Sequence, residues 1–401
     1  MDRVILHCDC NSFFASVEAA LDPKLNEYAF AVCGDPERRH GIVLAKNEKA
    51  KRFGVATGEP IWKAKAKCPK LVTVMPTYGK YSEYSKRVFD IYCRYTDLVE
   101  PFGIDECWLD VSGTTHLFGD GKTIADELRR VIKNEVGITI SAGVSYNKIF
   151  AKMGSDYKKP DATTVIDRNN FKELLFPLPA GALLGVGKKS EERLKSLGIK
   201  TIGEIANADA DVLKTFLGKG GEELHEYANG REFSQVKPYY YKDEQKSIGN
   251  GMTFKRDLKN ASEAKTCIYY ICDKVSSRMR KQGVLCRDVQ VALKNTELCT
   301  RVRSKKLPSP TDLAFELADA AIKTVFESTG VSFEPIRAIT VTGTELVKSS
   351  DFCEQLSLFD LDYNFKRARE ENLEKTRDAI AEKFGKNAVK RCSLMKNEFG
   401  I

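Results

Sequence analysis

Residues 4–21 read Val-Ile-Leu-His-Cys-Asp-Cys-Asn-Ser-Phe-Phe-Ala-Ser-Val-Glu-Ala-Ala-Leu, and this stretch decides the fold of the first half of the chain. Its apolar start predicts a short buried strand that ends in the carboxylate of Asp9. Asn11 or Ser12 is then placed to cap a helix that runs to Leu21. The stretch therefore predicts a β–α unit with an acidic side chain at its turn.

The segments that follow predict a mixed sheet. We expect strands at 29–33, 42–45 and 139–144, and helices at 48–53, 78–95, 124–134 and 147–157. Residues 98–111 hold two apolar runs around a tight turn that carries Asp105 and Glu106, which predicts a hairpin. The resulting β-α-β-β-α-β order is the ferredoxin-like pattern, with residues 22–77 inserted into it.

Residues 178–206 have a different character. Gly185-Val-Gly187 opens one amphipathic helix, and a second Gly-rich turn at 197–203 opens another. This pattern is typical of a helix-hairpin-helix, in which a glycine turn lets backbone N–H groups approach a phosphate at a helix N-terminus.

The rest of the chain reads as a linker, a second compact unit and a tail. The polar, tyrosine-rich stretch 233–246 predicts the linker, and the second unit spans about 247–345. Within it we expect strands at 289–293 and 339–342 and helices at 261–281 and 311–328. After Lys348 a tail carries one apolar cluster at 355–360 and a charged, helical stretch at 364–384.

Composition excludes several classes of protein. The 401 residues are enough for two to four domains, and 42% hydrophobic content excludes global disorder. No apolar run approaches the ~20 residues of a membrane helix, and the N-terminus lacks the basic start of a signal peptide, so we expect a cytoplasmic protein. Twelve scattered cysteines without a C-x2-C pair, and four histidines, do not fit a zinc site; we interpret them as buried, reduced thiols.

Positive charge is concentrated in one segment. The formal net charge is +8, but residues 242–306 alone hold 16 Lys and Arg against 7 Asp and Glu. Such a stripe is typical of a protein that binds a phosphate backbone. The alternative is an ordinary solvated surface.

Asp9, Asp105 and Glu106 are the candidate catalytic acids. In a ferredoxin-like sheet, the end of the first strand and the adjacent hairpin turn can converge. Three close carboxylates repel one another unless cations neutralise them, and hard oxygen ligands suit Mg²⁺. Two such ions would clamp the attacking and leaving oxygens of an in-line displacement. The alternative is that the three acids face water.

Phe13 and Phe14 follow Asp9 directly. Simple core packing is one interpretation; the other is that one ring lies against a nucleotide sugar and excludes a 2′-hydroxyl. Two cation pairs, Lys51-Arg52 and Lys158-Lys159, border the acidic segments and would stabilise a triphosphate together, although each alone is typical of a solvated surface.

With these residues assembled, the sequence resembles the Y-family DNA polymerases, close to the bacterial DNA polymerase IV and V branch of UmuC-domain proteins. The resemblance runs from residue 3 to about 345, and the tail motif lies beyond it. The matching motifs are His-Cys-Asp-Cys-Asn-Ser-Phe-Phe-Ala-Ser-Val-Glu at 7–18, Ile-Asp-Glu-Cys-Trp-Leu-Asp at 104–110, Gly-Val-Ser-Tyr-Asn-Lys-Ile-Phe-Ala-Lys at 143–152, Lys-Pro-Asp at 159–161 and Ser-Ile-Gly-Asn at 247–250. Several ordered matches are specific where one alone is weak.

The resemblance implies an α+β, multidomain right-hand polymerase. It implies a ferredoxin-like palm at 1–21 and 78–170, small fingers at 22–77, a helix-hairpin-helix thumb at 171–235, a linker at 236–246, an α/β little finger at 247–348 and a tail at 349–401 with a clamp-binding motif at 355–360. It also implies a monomer that acts on primer-template DNA and dNTPs with two Mg²⁺ ions.

The resemblance assigns roles by position. Asp9, Asp105 and Glu106 would be catalytic acids and metal ligands, together with the backbone carbonyl of Cys10. Nucleotide contacts would come from Phe13, Phe14 as the sugar gate, Ala45, Lys51 and Lys159. DNA contacts would come from Gly185, Gly187, Lys188, Lys246, Arg256, Arg301 and Arg303. Gln355, Leu356, Leu358 and Phe359 would dock on the sliding clamp as a short apolar plug.

One segment departs from the family pattern. Many relatives carry a tyrosine, followed three residues later by an arginine, on the fingers helix, and both touch the triphosphate. Here the same positions hold Glu48 and Lys51. Glu48 would repel a triphosphate, and Lys51 lacks the arginine fork; Asn47, Lys49 or Arg52 are the alternatives for that contact.

The leading functional hypothesis is therefore a low-fidelity, distributive, proofreading-free translesion DNA polymerase. A nucleotidyl cyclase would share the acids but has no use for a helix-hairpin-helix, a basic second unit and a clamp-like plug. A non-catalytic, clamp-recruited DNA-binding scaffold is the other alternative, and the three intact acids argue against it.

Overall fold

The structure, a computed structural model, describes residues 2–39, 41–241, 243–326, 334–352, 361–385, 388–389, 391–392 and 399. The chain divides into two compact units: unit 1 comprises residues 1–34 and 41–242, and unit 2 comprises residues 35–40 and 243–401. Among the described helices, none combines the length and the apolar character that crossing a membrane requires.

Besides short 3₁₀ turns, unit 1 contains β1 (Ile5–Cys10), α1 (Phe13–Leu21), β2 (Phe30–Cys33), β3 (Val43–Lys46), α2 (Glu48–Arg52), α3 (Ile61–Lys67), β4 (Val72–Val74), α4 (Tyr78–Tyr92), β5 (Val99–Pro101), β6 (Glu106–Asp110), α5 (Thr115–Phe118), α6 (Gly121–Val136), β7 (Ile140–Ser145), α7 (Lys148–Tyr157), β8 (Thr163–Ile166), α8 (Phe171–Leu175), α9 (Lys188–Ser196), α10 (Ile202–Asn207), α11 (Ala210–Leu217) and α12 (Lys219–Ala228). Unit 2 contains β9 (Ser247–Leu258), α13 (Ala261–Gln282), β10 (Val284–Asn295), β11 (Thr300–Thr311), α14 (Ala314–Phe326), β12 (Ile336–Lys348) and α15 (Leu361–Phe384).

The central sheet of unit 1 has the strand order β5-β6-β1-β7-β8. β1 pairs antiparallel with both β6 and β7, and β8 joins β7 in parallel. The first four of these strands form the ferredoxin-like arrangement, so that prediction is confirmed. The predicted hairpin is confirmed as well, because β5 and β6 pair antiparallel.

Side chains along β1 alternate between the two faces of the sheet, and each face contacts different helices. Leu6, Cys8 and Cys10 are buried in the core that α4 and α6 complete. His7 and Asp9 point to the opposite face, where α7 packs. Of the eleven cysteines that the structure describes, all are free and eight are buried, as predicted; the prediction is wrong for Cys93, Cys299 and Cys392, which are exposed.

β7 and α7 approach each other backbone to backbone. A Cβ atom added at Gly143 would lie 1.9 Å from the carbonyl oxygen of Ala151 and 2.4 Å from the amide nitrogen of Ser155. Gly154 faces the same contact, since its added Cβ would lie 3.0 Å from the Cα of Gly143. These two glycines therefore set how closely α7 lies against the sheet.

A three-stranded sheet of order β3-β2-β4 and a helical segment, α8–α12, flank the central sheet within unit 1. In the helical segment Gly185 has φ +97°, which a side chain would disfavour, and Gly187 is the N-cap of α9. Thr201 and Glu204 form a capping box at the start of α10. The helix-hairpin-helix predicted over 178–206 is thus confirmed.

Unit 2 is an antiparallel sheet of order β11-β10-β12-β9, against which α13 and α14 pack. The sequence pattern did not predict β9 or β11, and it placed the start of α14 at Thr311, which instead ends β11. β11 is an edge strand rich in Arg, Lys and Pro, and edge positions tolerate such residues, so its apolar alternation is weak. In β9, Gly249 and Gly251 lie against Thr342 and Thr340 and interrupt the pattern.

The charged stretch predicted to be helical forms α15, which packs on α13 through ion pairs. Arg280 bonds Glu374, and its Nε lies 2.7 Å from the Oδ2 atom of Asp378. Asp273 accepts from Arg377 at 3.1 Å and from Arg391 at 2.7 Å. α15 thus packs against α13 within unit 2, and its Glu374 is almost fully buried there.

The predicted cap of α1 is wrong. Ser12 occupies the N-cap position with φ +47° and makes no side-chain cap bond. Asn11 is committed elsewhere: its Nδ2 donates to Ser141, and its Oδ1 accepts from Thr139 and from the amide of Asp161. A buried network competes successfully with the local cap.

Candidate active site

The three predicted acids meet at one edge of the central sheet. Asp9 on β1 and Glu106 on β6 are direct partners in the antiparallel register. The amide of Cys10 donates to the backbone oxygen of Asp105 at 2.9 Å, which fixes the turn residue beside the strand end. The side chains of Asp9 and Glu106 are 13% and 19% exposed, so the edge is largely shielded from water.

Two lysines lie between these carboxylates. Lys159 Nζ is 2.7 Å from Asp9 Oδ2, and Lys152 Nζ is 2.5 Å from Glu106 Oε2 and 3.9 Å from Asp9 Oδ2. Asp156 binds Lys159 at 2.7 Å and lies 3.9 Å from Lys152, one helical turn along α7. Cations therefore offset the repulsion that three clustered acids would otherwise suffer.

A fully buried histidine completes the cluster. His7 Nδ1 lies 2.8 Å from the hydroxyl of Ser155, and Nε2 lies 3.4 Å from Glu106 Oε2. Burial lowers the pKa of His7, and the neighbouring Glu106 opposes that shift. The imidazole thus connects the strand of Asp9 to α7 and borders the acid of β6.

The surroundings raise the pKa values of Asp9 and Asp105 and lower that of Glu106. Burial, followed by the charges of Asp9 and Glu106, raises the pKa of Asp105 to about 6. Burial also raises the pKa of Asp9, although Lys159 opposes it. Burial would raise the pKa of Glu106 too, but bonds from His7 and Lys152 outweigh it and lower the pKa to about 2. The cluster consequently holds negative charge that a further cation would stabilise.

The donor set suits a hard cation. Within the described ranges, no group of three or more His, Cys, Asp or Glu side chains is arranged to hold a metal ion by itself. In Mg²⁺ sites one or two carboxylates bind the ion, and waters and substrate phosphates supply the other oxygens. Burial and the charges of Asp9 and Glu106 raise the pKa of Asp105, and a cation bound beside these carboxyl groups would oppose both effects, so the residues present fit such an ion.

The two phenylalanines after Asp9 have different environments. Phe13 is buried in the core, as the packing interpretation predicted. Phe14 is half-buried, its ring stacks on Tyr81, and it shares an apolar cluster with Ala45 of β3. The structure therefore brings two predicted nucleotide-contact residues, Phe14 and Ala45, together.

The fingers-helix departure has a local explanation. Lys51 Nζ lies 3.6 Å from Glu48 Oε1, so the lysine partly neutralises the acid that replaces the tyrosine. Asn47 is used as the N-cap of α2 and in bonds to Phe30 and Tyr28. Lys49 reaches back to the carbonyl of Glu27 at 3.1 Å. Of the three proposed substitutes, these contacts favour Arg52, which is exposed at the end of α2.

The predicted DNA-contact residues lie in both units and are described within each. In unit 1, Gly185, Gly187 and Lys188 are exposed at the start of α9. In unit 2, the exposed residues are Lys246, Arg301 and Arg303, whereas Arg256 is half-buried and forks onto Glu263 at 3.1 Å. The clamp motif, Gln355–Phe359, lies outside the described residues.

Sequence reasoning did not select two residues of the site, Lys152 and His7. Lys152 had a signal, because Lys152, Asp156 and Lys159 recur at helical spacing toward the acids. His7 had one too, since it lies two residues before Asp9 and so faces the same side of a strand. Neither signal identifies its partner, which depends on how α7 packs on the sheet.

Comparison with known proteins identifies the family. Profiles of the impB/mucB/samB family and of its C-terminal domain match residues 8–156 and 245–358, and a DNA polymerase-iota thumb-domain profile matches 181–232. The chain is 46% identical over 397 residues to a DNA polymerase IV of Acetivibrio thermocellus, covering 99% of this chain and 98% of that one. It is 36% identical to a DNA polymerase IV of Bacillus velezensis, covering 99% and 94%.

A solved Y-family DNA polymerase chimera of Dbh and Dpo4 shares the fold. Its TM-score is 0.77 at 23% identity, and the match covers 86% of this chain and 99% of that one. The α+β multidomain polymerase architecture is thus shared across nearly the whole of that chain. On these matches, and with the ferredoxin-like sheet and its acidic edge, the chain belongs to the impB/mucB/samB family of bacterial Y-family DNA polymerases.

Proposed function

We propose that the edge formed by Asp9, Asp105 and Glu106 is the nucleotidyl-transfer centre of a low-fidelity, template-directed translesion DNA polymerase. The observation that carries the proposal is the register that sets Asp9 directly opposite Glu106, with Asp105 beside them. Nothing in the packing of the sheet requires three carboxylates at one edge, which disfavours a non-catalytic scaffold. The polymerase would act without a proofreading exonuclease.

Two Mg²⁺ ions are the proposed cofactor. Asp9, Asp105 and Glu106 would hold them, with the backbone carbonyl of Cys10 as a further oxygen ligand. When bound, the ions would lower the barrier to attack by the primer 3′-hydroxyl and stabilise charge on the phosphates.

The side chains of the chain have separate tasks in this proposal. Glu106 is the acidic group at the primer 3′-hydroxyl, and its pKa, lowered to about 2, keeps it ionised at neutral pH. Lys159 binds the phosphates of the incoming dNTP, since its Nζ already lies at the carboxylate edge. Phe14 packs against the sugar and excludes a 2′-hydroxyl.

Each domain has its own contacts with the nucleotide or the DNA in this proposal. The palm (1–21 and 78–170) holds the acids, and the fingers (22–77) contact the nucleotide through Ala45 and Lys51, with Arg52 in place of the usual arginine. The thumb (171–235) grips primer-template DNA with Gly185, Gly187 and Lys188. The linker at 236–246 contacts the DNA backbone with Lys246, and the little finger (247–348) contacts it with Arg256, Arg301 and Arg303.

The sliding clamp is the proposed protein partner of the enzyme. Gln355, Leu356, Leu358 and Phe359 in the tail (349–401) dock on the sliding clamp as an apolar plug. The enzyme acts as a monomer in the cytoplasm.

Primer extension with Mg²⁺ on undamaged and abasic templates tests the proposal. The parent should extend both, whereas the Asp105→Ala, Glu106→Ala variant should be slower by roughly a thousandfold or more and should bind primer-template normally. Glu127→Ala is a control, because this half-exposed acid on α6 pairs with Arg130. Equal extension by the double variant and the parent would sink the proposal.

A further inference from the structure

The loop that joins α7 to β8 carries Lys159, and side chains from two other segments hold it through hydrogen bonds. Lys159 reaches Asp9, and two residues later Asp161 adopts φ +50°, a left-handed conformation that side chains rarely occupy. The ring of Pro160 restricts one backbone angle between them. The place of the lysine thus depends on what holds Asp161.

One grip comes from α6. Arg129 donates from Nε and Nη2 to Asp161 Oδ1 at 3.2 and 2.9 Å, and Nη2 also bonds the backbone oxygen of Asp161. Its Nη1 donates to Asp126 at 3.1 Å and to Thr163 at 3.4 Å, which fixes the guanidinium to α6 and to the start of β8. A planar fork that engages one residue this fully is suited to fix a loop.

The other grip comes from the segment after β1. Asn11 is buried, and its Oδ1 accepts from the amide of Asp161 at 2.9 Å. The same side chain is held by Ser141 at 2.8 Å and Thr139 at 3.0 Å. Asn11 follows Cys10 directly, so its bond to Asp161 holds the loop of Lys159 beside the end of the strand that bears Asp9.

We propose that Arg129 and Asn11 are positioning residues for nucleotide binding, which act through Asp161 to place the Lys159 ammonium on the phosphates of the incoming dNTP. The inference rests on the proposed phosphate contact of Lys159. Neither residue touches the substrate, and each acts by restricting the loop between α7 and β8.

Single-nucleotide insertion kinetics with Arg129→Met and Asp161→Gly test the inference. Asp161→Gly keeps the left-handed angle free of strain and removes the carboxylate that Arg129 holds. In both variants the KM for dNTP should rise about tenfold, and kcat should stay within about twofold. The Kd for primer-template should not change, whereas the unfolding midpoint should fall slightly in both variants because the bonds between Arg129 and Asp161 are lost. Arg130→Met, next on α6 and paired with Glu127 at 2.6 Å, is the control and should match the parent.

The Lys159→Met background separates the possible failures. There, Arg129→Met should add no further rise in KM, because the group it positions is gone. An equal rise in both backgrounds, or a change confined to DNA binding and unfolding, would overturn the positioning role. If Lys159→Met raises KM and neither loop variant does, the positioning inference alone is wrong. If Lys159→Met leaves KM unchanged, the phosphate contact is wrong and the inference falls with it.

Discussion

The ring of Phe14 stacks on the ring of Tyr81, with centroids 4.1 Å apart and planes 9° from parallel. The hydroxyl of Tyr81 donates to the buried carboxylate of Glu18 at 2.5 Å, and the amide of Thr77 donates to the same carboxylate at 3.0 Å. α1 and α4 therefore hold the proposed sugar gate through a stacked ring and a hydrogen-bonded acid. A gate braced in this way cannot retreat from a 2′-hydroxyl without breaking buried contacts.

Replacing Phe14 by alanine should weaken sugar selection. The preference for dNTP over rNTP, measured as the ratio of kcat/KM values, should fall by about a hundredfold or more, because the bulk that excludes the hydroxyl is gone. Phe118→Ala, which removes a half-exposed ring that packs on Tyr95, is the control. Unchanged sugar preference in Phe14→Ala would rule out the gate.

Gly143→Ala should destabilise unit 1 by about 3 kcal/mol or more, because the new methyl group would collide with the backbone of α7. Gly79→Ala on α4 is the matched control: its Cβ meets nothing within 4 Å, and it should stabilise the protein by up to about 1 kcal/mol. Urea unfolding followed by tryptophan fluorescence reports on unit 1, since both tryptophans, Trp62 and Trp108, lie there. Equal stability of the two variants would contradict the close approach of α7.

Metal affinity should depend on pH through Asp105. Its carboxyl, with a pKa raised to about 6, is protonated below that pH and must release the proton before it can bind a cation. The affinity for Mn²⁺, measured by calorimetry in the absence of nucleotide, should therefore fall by up to about tenfold per pH unit below 6. Asp105→Asn should bind more weakly and lose most of this dependence. A flat profile in the parent would show that Asp105 is not a ligand.

The basic edge strand β11 should contribute to salt-dependent DNA binding. Arg303→Gln should reduce the slope of log K against log salt by about one, because one phosphate contact and its released counterion are lost. Arg278→Gln on α13 is the control, since that arginine donates to the carbonyl of Gly249 at 2.7 Å. Anisotropy titrations over a series of KCl concentrations give both slopes, and identical slopes for Arg303→Gln and the parent would remove Arg303 from the interface.

The clamp motif can be tested without disturbing the catalytic edge. Leu358→Ala with Phe359→Ala should leave basal primer extension unchanged and abolish stimulation by the sliding clamp, because the apolar anchors of the plug are lost. Ser357→Ala, directly before the two anchors, is the control and should be stimulated like the parent. Full stimulation of the double variant would exclude this docking site.

The parts of the fold that the sequence predicted are those with strong local signals. The ferredoxin-like order and the helix-hairpin-helix follow from apolar runs and from glycine turns such as Gly185-Val-Gly187. β11 escaped because Arg301, Arg303 and its prolines suit an edge strand without apolar alternation. The cap of α1 was wrong because Asn11 bonds Ser141 and Asp161, which are far away in the sequence.

The candidate site follows the same division. Asp9, Asp105 and Glu106 could be named from the sequence because Asp9 ends a predicted strand and the other two acids lie in the turn of a predicted hairpin. The roles of His7 and Lys152 depend on which face of the sheet α7 covers and how closely it lies, and no local pattern fixes either. The ion pairs of α15 were unpredictable for a similar reason, since charged helices are usually solvated.

The ion pairs that join α13 to α15 and to Arg391 have a consequence for synthesis on the ribosome. Asp273 and Arg280 lie on α13, but their partners Glu374, Arg377 and Arg391 come 94 to 118 residues later in the chain. Unit 1 ends at residue 242 and can fold early, as N-terminal domains generally do during translation. Unit 2 must keep its α13 charges hydrated until Arg391 has been synthesised, so this unit completes its fold well after unit 1 has left the ribosome.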